Sequence, residues 1–298
     1  MTVYHAGELA VQQRLGQSEI AARLSRMVRK EIPDAAAEFL ADQPMVVLAA
    51  ADGAGRIWTS LVTGPPGFMH VDHLSDEREQ IAVDALPVTG DPLHEVLTGQ
   101  PQRVGMIAVQ PQTRRRMRVN GLAVPTGAGL LIQPDQVYSN CPKYISRRHV
   151  EGVVRVPDNH VRRHADALDA RTGQIISAAD TFFIGSTDAD GNADASHRGG
   201  NPGFLQVLSP NRLRWPDYRG NSMFMTLGNI SANPRAGLLI PDWDAGTTLQ
   251  LTGTAEIIWE SAPGAQCWVE FTIDEVVELN GVSPLRWSNA ELSPANPA

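Results

Sequence analysis

Between Val46 and Phe68 the chain reads VVLAAADGAGRIWTSLVTGPPGF, and between Phe182 and Phe204 it reads FFIGSTDADGNADASHRGGNPGF. The two stretches align without a gap. Asp52 answers Asp188, Gly55 answers Gly191, Ser60 answers Ser196, Gly64 answers Gly200, and Pro66-Gly67-Phe68 answers Pro202-Gly203-Phe204. The correspondence resumes downstream, where Val104-Gly105-Met106-Ile107 matches Ala236-Gly237-Leu238-Leu239. After the same interval Met117-Arg118-Val119-Asn120-Gly121 matches Leu249-Gln250-Leu251-Thr252-Gly253. Two copies, each near domain size, describe a duplicated domain rather than a solenoid. Differences between the copies then mark where one of them carries a site.

At 298 residues the chain can bury two cores of ordinary size. Its 42% apolar content suits a globular protein, and no run approaches the ~20 apolar residues of a membrane span. The N-terminal stretch lacks the apolar core of a secretory signal. Cys141 and Cys267 give no disulfide framework and are too few for a cysteine-based zinc site, so a reducing cytoplasm is the expected setting. A net charge of −8 argues against general nucleic-acid binding. The run Arg114-Arg115-Arg116-Met117-Arg118 is the exception; it is read as a solvated strand edge in preference to a phosphate-binding element.

Residues 1–42 are expected to form a helical arm, with Ser18 capping a helix over about 19–30 and a second helix over 34–41. The first repeat, 43–150, should hold strands near 45–50, 57–62, 68–73, 103–109, 116–124 and 129–133. Asp52-Gly53, Gly64-Pro65-Pro66 and Asn120-Gly121 read as turns between them. A linker over 151–178 carries a predicted helix at about 165–178. The second repeat, 179–298, should hold strands near 181–186, 193–197, 204–208, 212–215, 235–240, 248–258 and 268–273, and the tail from Ser288 should be loose. Many short strands with one helix per unit predict a mainly β fold with flanking helices, each repeat a small Greek-key barrel.

Where the first copy has Thr59-Ser60-Leu61-Val62-Thr63-Gly64, the second has Ala195-Ser196-His197-Arg198-Gly199-Gly200. Glycine admits a ligand close to the backbone, arginine offers a planar fork matched to phosphate oxygens, and serine adds a donor. Downstream, Leu213-Arg214-Trp215-Pro216-Asp217-Tyr218-Arg219-Gly220-Asn221 ends just before a predicted short helix over 222–231, whose N-terminus would suit an anion.

The run ADTFFIGS, then SHRGGNPGF, RLRWPDYRGN, LGNISANPRAGLLI and LQLTGTAEI resembles the pyridoxamine 5′-phosphate oxidase-like flavoproteins, which are FMN-binding split β-barrels. It is closer to that broad group than to true pyridoxamine phosphate oxidase. The resemblance implies FMN as cofactor, with Ser196, Arg198, Gly199, Pro216, Asp217, Gly220 and Asn221 at its phosphate. His197 stands where the group usually has proline. Gln250 stands where its L-R-V-N-G strand has arginine, near the flavin's pyrimidine edge. Single-repeat relatives are homodimers that hold FMN at the subunit interface and end in an element like E-A-x-x-H-C-x-K-A-x-x-R-S. Here that element closes the first repeat, from Asp135 to Arg148, and includes Cys141, Pro142, Lys143, Tyr144 and Arg147. The second repeat lacks the Cys-x-Lys. The two tandem FMN-binding split β-barrels are therefore expected to form an intramolecular pseudo-dimer with one site between them. Lys143, Tyr144 and Arg147 would lie near the flavin, and Cys141 would be a small buried residue.

FMN itself would carry hydride or electron transfer, so no catalytic acid or base is required and none is assigned. The histidines show no metal-ligand spacing, and no G-x-G-x-x-G follows a strand, so neither a metal nor a Rossmann dinucleotide site is indicated. The element Tyr4-His5-Ala6-Gly7-Glu8 either packs the arm or covers the flavin. The expected function is an FMN-dependent oxidoreductase acting on a small substrate, with NAD(P)H or another donor bound only transiently. The alternatives are a flavin carrier or sensor and a haem-binding split barrel. The chain would work as a monomeric pseudo-dimer or as a homodimer, without nucleic-acid or membrane partners.

Overall fold

A computed structural model describes residues 3–73, 79–157, 160–220, 222–261 and 264–297. The first repeat forms one antiparallel sheet from β1 (Met45–Ala51), β2 (Ile57–Thr63), β3 (Met69–His73), β4 (Glu79–Val83), β5 (Gln102–Gln110), β6 (Arg115–Pro125) and β7 (Leu130–Ser139). Its strand order is β2-β1-β5-β6-β7-β4-β3. Two short strands follow, β8 (Val150–Val153) and β9 (Arg162–Ala165). The second repeat then lays down β10 (Thr181–Thr187), β11 (Ala193–Gly199), β12 (Gln206–Ser209), β13 (Arg212–Tyr218), β14 (Arg235–Asp242), β15 (Thr247–Ile258) and β16 (Ala265–Leu279), and β17 (Leu285–Trp287) closes the series. The second sheet runs β11-β10-β14-β15-β16-β13-β12, which is the first order translated element by element. The helices are α1 (Ala6–Arg14), α2 (Ser18–Leu24), α3 (Asp34–Ala41), α4 (His94–Thr98), α5 (Ala170–Ala178) and α6 (Met225–Ala232). Among the described residues no helix is long and apolar enough to cross a membrane.

Each repeat fills its own barrel with apolar side chains from alternate strand positions, led by Trp58, Met69 and Ile81 in the first and Phe182, Trp215 and Phe271 in the second. A third cluster joins them and draws on both: Val47, Ala49, Ile107, Val109 and Ile145 meet Phe183, Ala195 and Leu239. At this seam the two backbones touch. A Cβ on Gly105 would overlap the backbone of Asp194 and Ala195, and a Cβ on Gly237 would overlap that of Ile57 and Trp58. Gly105 and Gly237 are equivalent positions in the repeats, so the contact is made twice, around a local two-fold axis.

Several expectations shift. Ser18 begins α2 but does not cap it, and the helix ends at Leu24 in a 3₁₀ turn over Ser25–Met27. It stops because the next residues are drawn into the sheet, where Arg29 and Val137 exchange backbone hydrogen bonds of 3.1 and 2.6 Å. Asn120-Gly121 is no turn; it lies inside β6 at a bulge against β7, as Thr252-Gly253 does in β15. The linker contributes more than a helix: β9 adds to β16 and β8 pairs with β17. The tail is tied down as well, with Arg147 and Glu291 exchanging backbone bonds of 2.8 and 2.9 Å and Ser293 buried.

The first helix of the N-terminal arm packs on the second repeat, while α3 packs on the first. His5 and Glu8 form a capping box at the start of α1, with His5 N–H donating to Glu8 Oε2 (2.8 Å) and Gly7 N–H to His5 Nδ1 (3.1 Å). A Cβ on Gly7 would overlap the carbonyl oxygen of Gly228, and one on Gly228 would overlap Glu8, so α1 and α6 pack through facing glycines. The ring of His5 meets Asn229 Oδ1 at 2.9 Å, and Gln12 Nε2 donates to Met223 O at 3.0 Å. The Tyr4–Glu8 element is thus a packing device that steadies α6. Its cost sits on Glu8, which is 3% exposed. Burial, with Asp194 and Asp188 adding to it, pushes the Glu8 carboxyl up to about 8.

Two outcomes follow from this packing. Gly105→Ala forces backbone apart at the seam and is expected to cost about 1–3 kcal/mol, read as a lower urea midpoint at unchanged slope; an unchanged midpoint would contradict the contact. For Glu8, an acid with a raised folded pKa holds its proton more tightly in the folded chain. Its destabilising contribution is absent below about pH 4.5, grows as pH rises, and is complete above about pH 8. Glu8→Gln, which keeps the size and a capping oxygen, should flatten the fall of stability between pH 5 and 8, a slope of at most about 1.4 kcal/mol per pH unit. Parallel stability curves for the two proteins would refute it.

Candidate anion site between the repeats

The alternation of β11 puts Asp194, Ser196 and Arg198 on one face, and that of β6 does the same for Arg116 and Arg118. Because the seam brings β11 onto the first sheet, these two rows meet. Arg118 Nη1 donates to both carboxylate oxygens of Asp194 (3.1 Å each) and to Tyr138 OH (3.1 Å), while its Nη2 donates to Ser196 Oγ. Tyr138 OH donates to Asp194 Oδ1 (2.9 Å), and Asn120 Nδ2 donates to the same oxygen (3.2 Å). Arg198 Nη1 donates to Ser196 Oγ (2.6 Å), and its Nη2 lies 3.4 Å from Asp217 Oδ1 on β13. Arg116 Nη1 lies 3.0 Å from His197 Nδ1.

Of these, Arg116, Arg118, His197, Arg198 and Asp217 wall a narrow cleft, completed by Tyr144, Pro216, Tyr218, Gly220 and the first turn of α6. The charges in it do not balance locally. Asp194 neutralises Arg118 and Asp217 faces Arg198, whereas the one partner of Arg116 among the described residues is an imidazole. Burial, and then the like charges of Arg118 and Arg198, lower Arg116 to about 9, still protonated at neutral pH. Burial, reinforced by Arg116, Arg198 and Arg118, holds His197 well below its ordinary value. His197 is therefore neutral, and since guanidinium can only donate, its Nδ1 is the acceptor. Burial also raises Asp217 and lowers Arg198, against the pull of their own pairing.

The hydrogen-bond inventory identifies what the cleft lacks. The Nε atoms of Arg116, Arg118 and Arg198 are all buried and have no partner, and neither has Thr226 Oγ1 in the first turn of α6. Buried donors left unmade are expensive. The N-terminus of α6 carries no side-chain cap, so its backbone N–H groups are a further donor set at the same cleft. Converging donors, a cationic surplus and a free helix N-terminus are the chemistry of a phosphate or similar anion. Two of the cleft's walls hold non-glycine residues in the left-handed region, Tyr144 (φ 68°) and Phe224 (φ 60°), a strain of about 1–3 kcal/mol each that the surroundings must impose.

Of the residues expected at the site, His197, Arg198, Gly199, Pro216, Asp217, Gly220 and Tyr144 line the cleft, and Ser196 stands behind it between two arginines. Asn221 lies outside the described residues. Gly199 has another purpose than ligand approach: a Cβ there would overlap the carbonyl oxygen of Tyr144, so it admits the first repeat's chain. Lys143 is exposed and does not line the cleft, because Tyr144 turns inward beside it. Cys141 is half-buried rather than buried. Arg147 is drawn away to Glu291. Gln250 is not at this cleft at all. It is fully buried on the other side of the local two-fold, where its Nε2 donates to Thr59 O (2.9 Å), Ser60 Oγ (2.9 Å) and Asp91 Oδ2 (3.0 Å). The equivalent position facing the cleft is Arg118, on the other repeat. The arginine run is likewise not a solvated edge: β6 is paired on both sides, and Arg116 and Arg118 point into the seam. Sequence reasoning missed Arg116, Arg118 and Thr226, which line the cleft, and Tyr138 and Asp194, which brace Arg118. The signal was present in the Arg118-Val119-Asn120-Gly121 string of the first copy.

Residues 168–275 match the family model described as pyridoxamine 5′-phosphate oxidase. No curated protein matches the chain. Solved structures similar to part of it include Group A Streptococcus HupZ, at 14% identity over 40% of this chain and 98% of that one, with a TM-score of 0.32. A FAD-binding protein from Mesorhizobium loti is 13% identical over 41% of this chain and 98% of its own, with a TM-score of 0.30. A protein related to general stress protein 26, of the pyridoxinephosphate oxidase family, from Clostridium acetobutylicum is 11% identical over 40% and 92%, with a TM-score of 0.30. The family match over the second repeat, and a strand order that the first repeat duplicates, give this chain a pyridoxamine 5′-phosphate oxidase-like split-barrel fold.

Proposed function

We propose that the chain is a flavoprotein that holds one FMN between its repeats and uses it as an oxidoreductase on a small substrate. The observation that carries this is the set of buried, unpartnered donors from both repeats around one cleft: the Nε atoms of Arg116, Arg118 and Arg198, with Thr226 Oγ1. FMN supplies hydride or electron transfer when bound. The chain supplies the rest. Arg198, Arg116 and the α6 N-terminus would bind the phosphate, and Arg118 would bind it while clamped by Asp194 and Tyr138. Neutral His197 orients Arg116, and the Tyr144–Tyr218 pair, with ring centroids 5.2 Å apart, closes one wall.

The count of one site per chain is supported by what replaces the cleft across the local two-fold. There Leu61 and Val62 stand in place of His197 and Arg198, and Gln250, Ser60 and Asp91 bond to one another. That position has filled itself and offers no cationic surplus. The reading places the protein in the cytoplasm as a pseudo-dimer, alone or paired with a second copy, with NAD(P)H or another donor binding only in passing.

Reconstitution of the purified chain with FMN should saturate at one flavin per chain by absorbance, and Arg198→Ala should weaken binding at least tenfold. Two flavins per chain, or undiminished binding by the variant, would sink the single composite site. Anaerobic NADPH or NADH should bleach the bound flavin; a flavin that stays oxidised under every donor tried would make the protein a carrier or sensor instead.

A further inference from the structure

Next to the cleft, and sharing Arg116 with it, lies a second cavity of about 600 Å³. It opens between the N-terminal arm and the ends of β6 and β7, within the size range of sites for small organic molecules. Its floor and walls are apolar: Phe39, Met117 and Val137 are buried there, and Met27, Pro33 and Ala36 flank them. Its polar lining has one sign. Arg29, Arg114, Arg115 and Arg116 contribute to it, and no aspartate or glutamate does.

The four arginines are not equally committed. Arg114 is tied to Ile145 O and Glu291, and the guanidinium of Arg115 lies 5.0 Å over the Phe39 ring. The side chain of Arg29 has neither hydrogen bond nor ion pair among the described residues, and Arg116, whose open Nε belongs to the cleft's donor set, brings its charge to this cavity as well. Asn140, whose backbone N–H meets Arg116 O at 3.5 Å, has both its amide oxygen and its amide nitrogen buried without partners. A buried amide with both ends open, beside an unmade guanidinium donor, calls for a ligand that brings its own polar group.

We propose that this cavity binds an amphipathic organic anion, its apolar body of about ring size or larger against Phe39, Met117 and Val137, and its carboxylate or equivalent head on Arg29 and Asn140, in the field of Arg116. Naming that anion the substrate rests on the flavin reading, because Arg116 is where the cavity meets the cleft; the binding site itself does not. The apolar body accounts for the size and the lining, and the charge accounts for a charged lining made of arginine alone in a chain of net charge −8.

Calorimetric titration of the FMN-saturated chain with 2-naphthoate and with its neutral counterpart 2-naphthamide tests this, flavin content being read by absorbance in the same samples. The naphthoate should bind at one per chain, at least tenfold tighter than the amide. Arg29→Gln should narrow that gap, and Ala36→Trp, which fills the cavity from α3, should abolish binding while the flavin content and melting temperature hold. Equal binding of the amide, unimpaired binding by Ala36→Trp, or displacement of naphthoate by FMN would overturn the proposal. If the chain takes up no FMN yet the naphthoate pattern holds, the flavin reading fails and the anion site stands.

Discussion

The seam at which backbone lies on backbone is the constraint that the rest of the molecule obeys. Gly105 under β11 and Gly237 under β2 place no side chain where one would hold the two sheets apart. Val47, Ala49 and Ile107 can then pack directly on Phe183, Ala195 and Leu239. At this separation a side chain from β6 of one repeat is long enough to reach β11 of the other. Arg118 does so, meeting Asp194 and Ser196, and Arg116 meets His197. The site is a consequence of the seam.

A buried ion pair such as Arg118–Asp194 is weak evidence for stability, since desolvation consumes most of the attraction. Its value here is positional. Asp194 receives donors from Arg118, Tyr138 and Asn120, which fixes the Arg118 fork while leaving its buried Nε without a partner. The position across the two-fold solves the same problem differently. Trp58 stands where Asp194 would be, and in place of a charged fork the neutral amide of Gln250 donates to Thr59 O, Ser60 Oγ and Asp91 Oδ2. Asp91 joins that network fully buried, with its carboxyl raised to about 6 chiefly by burial. One half of the duplicated seam thus concentrates positive charge and open donors, and the other half makes its Gln250 and Ser60 donors internally around Asp91.

Much of this was legible in the sequence, and the failures share a cause. The gapless match of the two copies located the strands, and Ser196-His197-Arg198 followed by Pro216-Asp217 located the cleft, because those features are local. α6 begins three residues later than its expected start at Ser222, at Met225 after the left-handed Phe224, but its N-terminus faces the cleft as composition suggested. Pairing across the seam was the harder matter. Gln250 was assigned to the cofactor because it replaces an arginine on its own repeat, whereas the cleft takes its arginine from the other repeat. Asn120-Gly121 has the letters of a turn, yet its glycine serves a bulge where a Cβ would strike Gln133 O. Gly199 has the letters of a ligand cradle and instead accommodates Tyr144. Glycine reports that something comes close; only the fold says what.

The central claim is that residues of the first repeat hold an anion bound by the second. The preference of the chain for FMN over riboflavin measures the contribution of the phosphate alone, and Arg116→Met tests the first repeat's share without removing a partner of Asp194. The account predicts that this preference falls at least tenfold in the variant, mainly through weaker FMN binding. A preference unchanged by Arg116→Met, with FMN still bound, would contradict it.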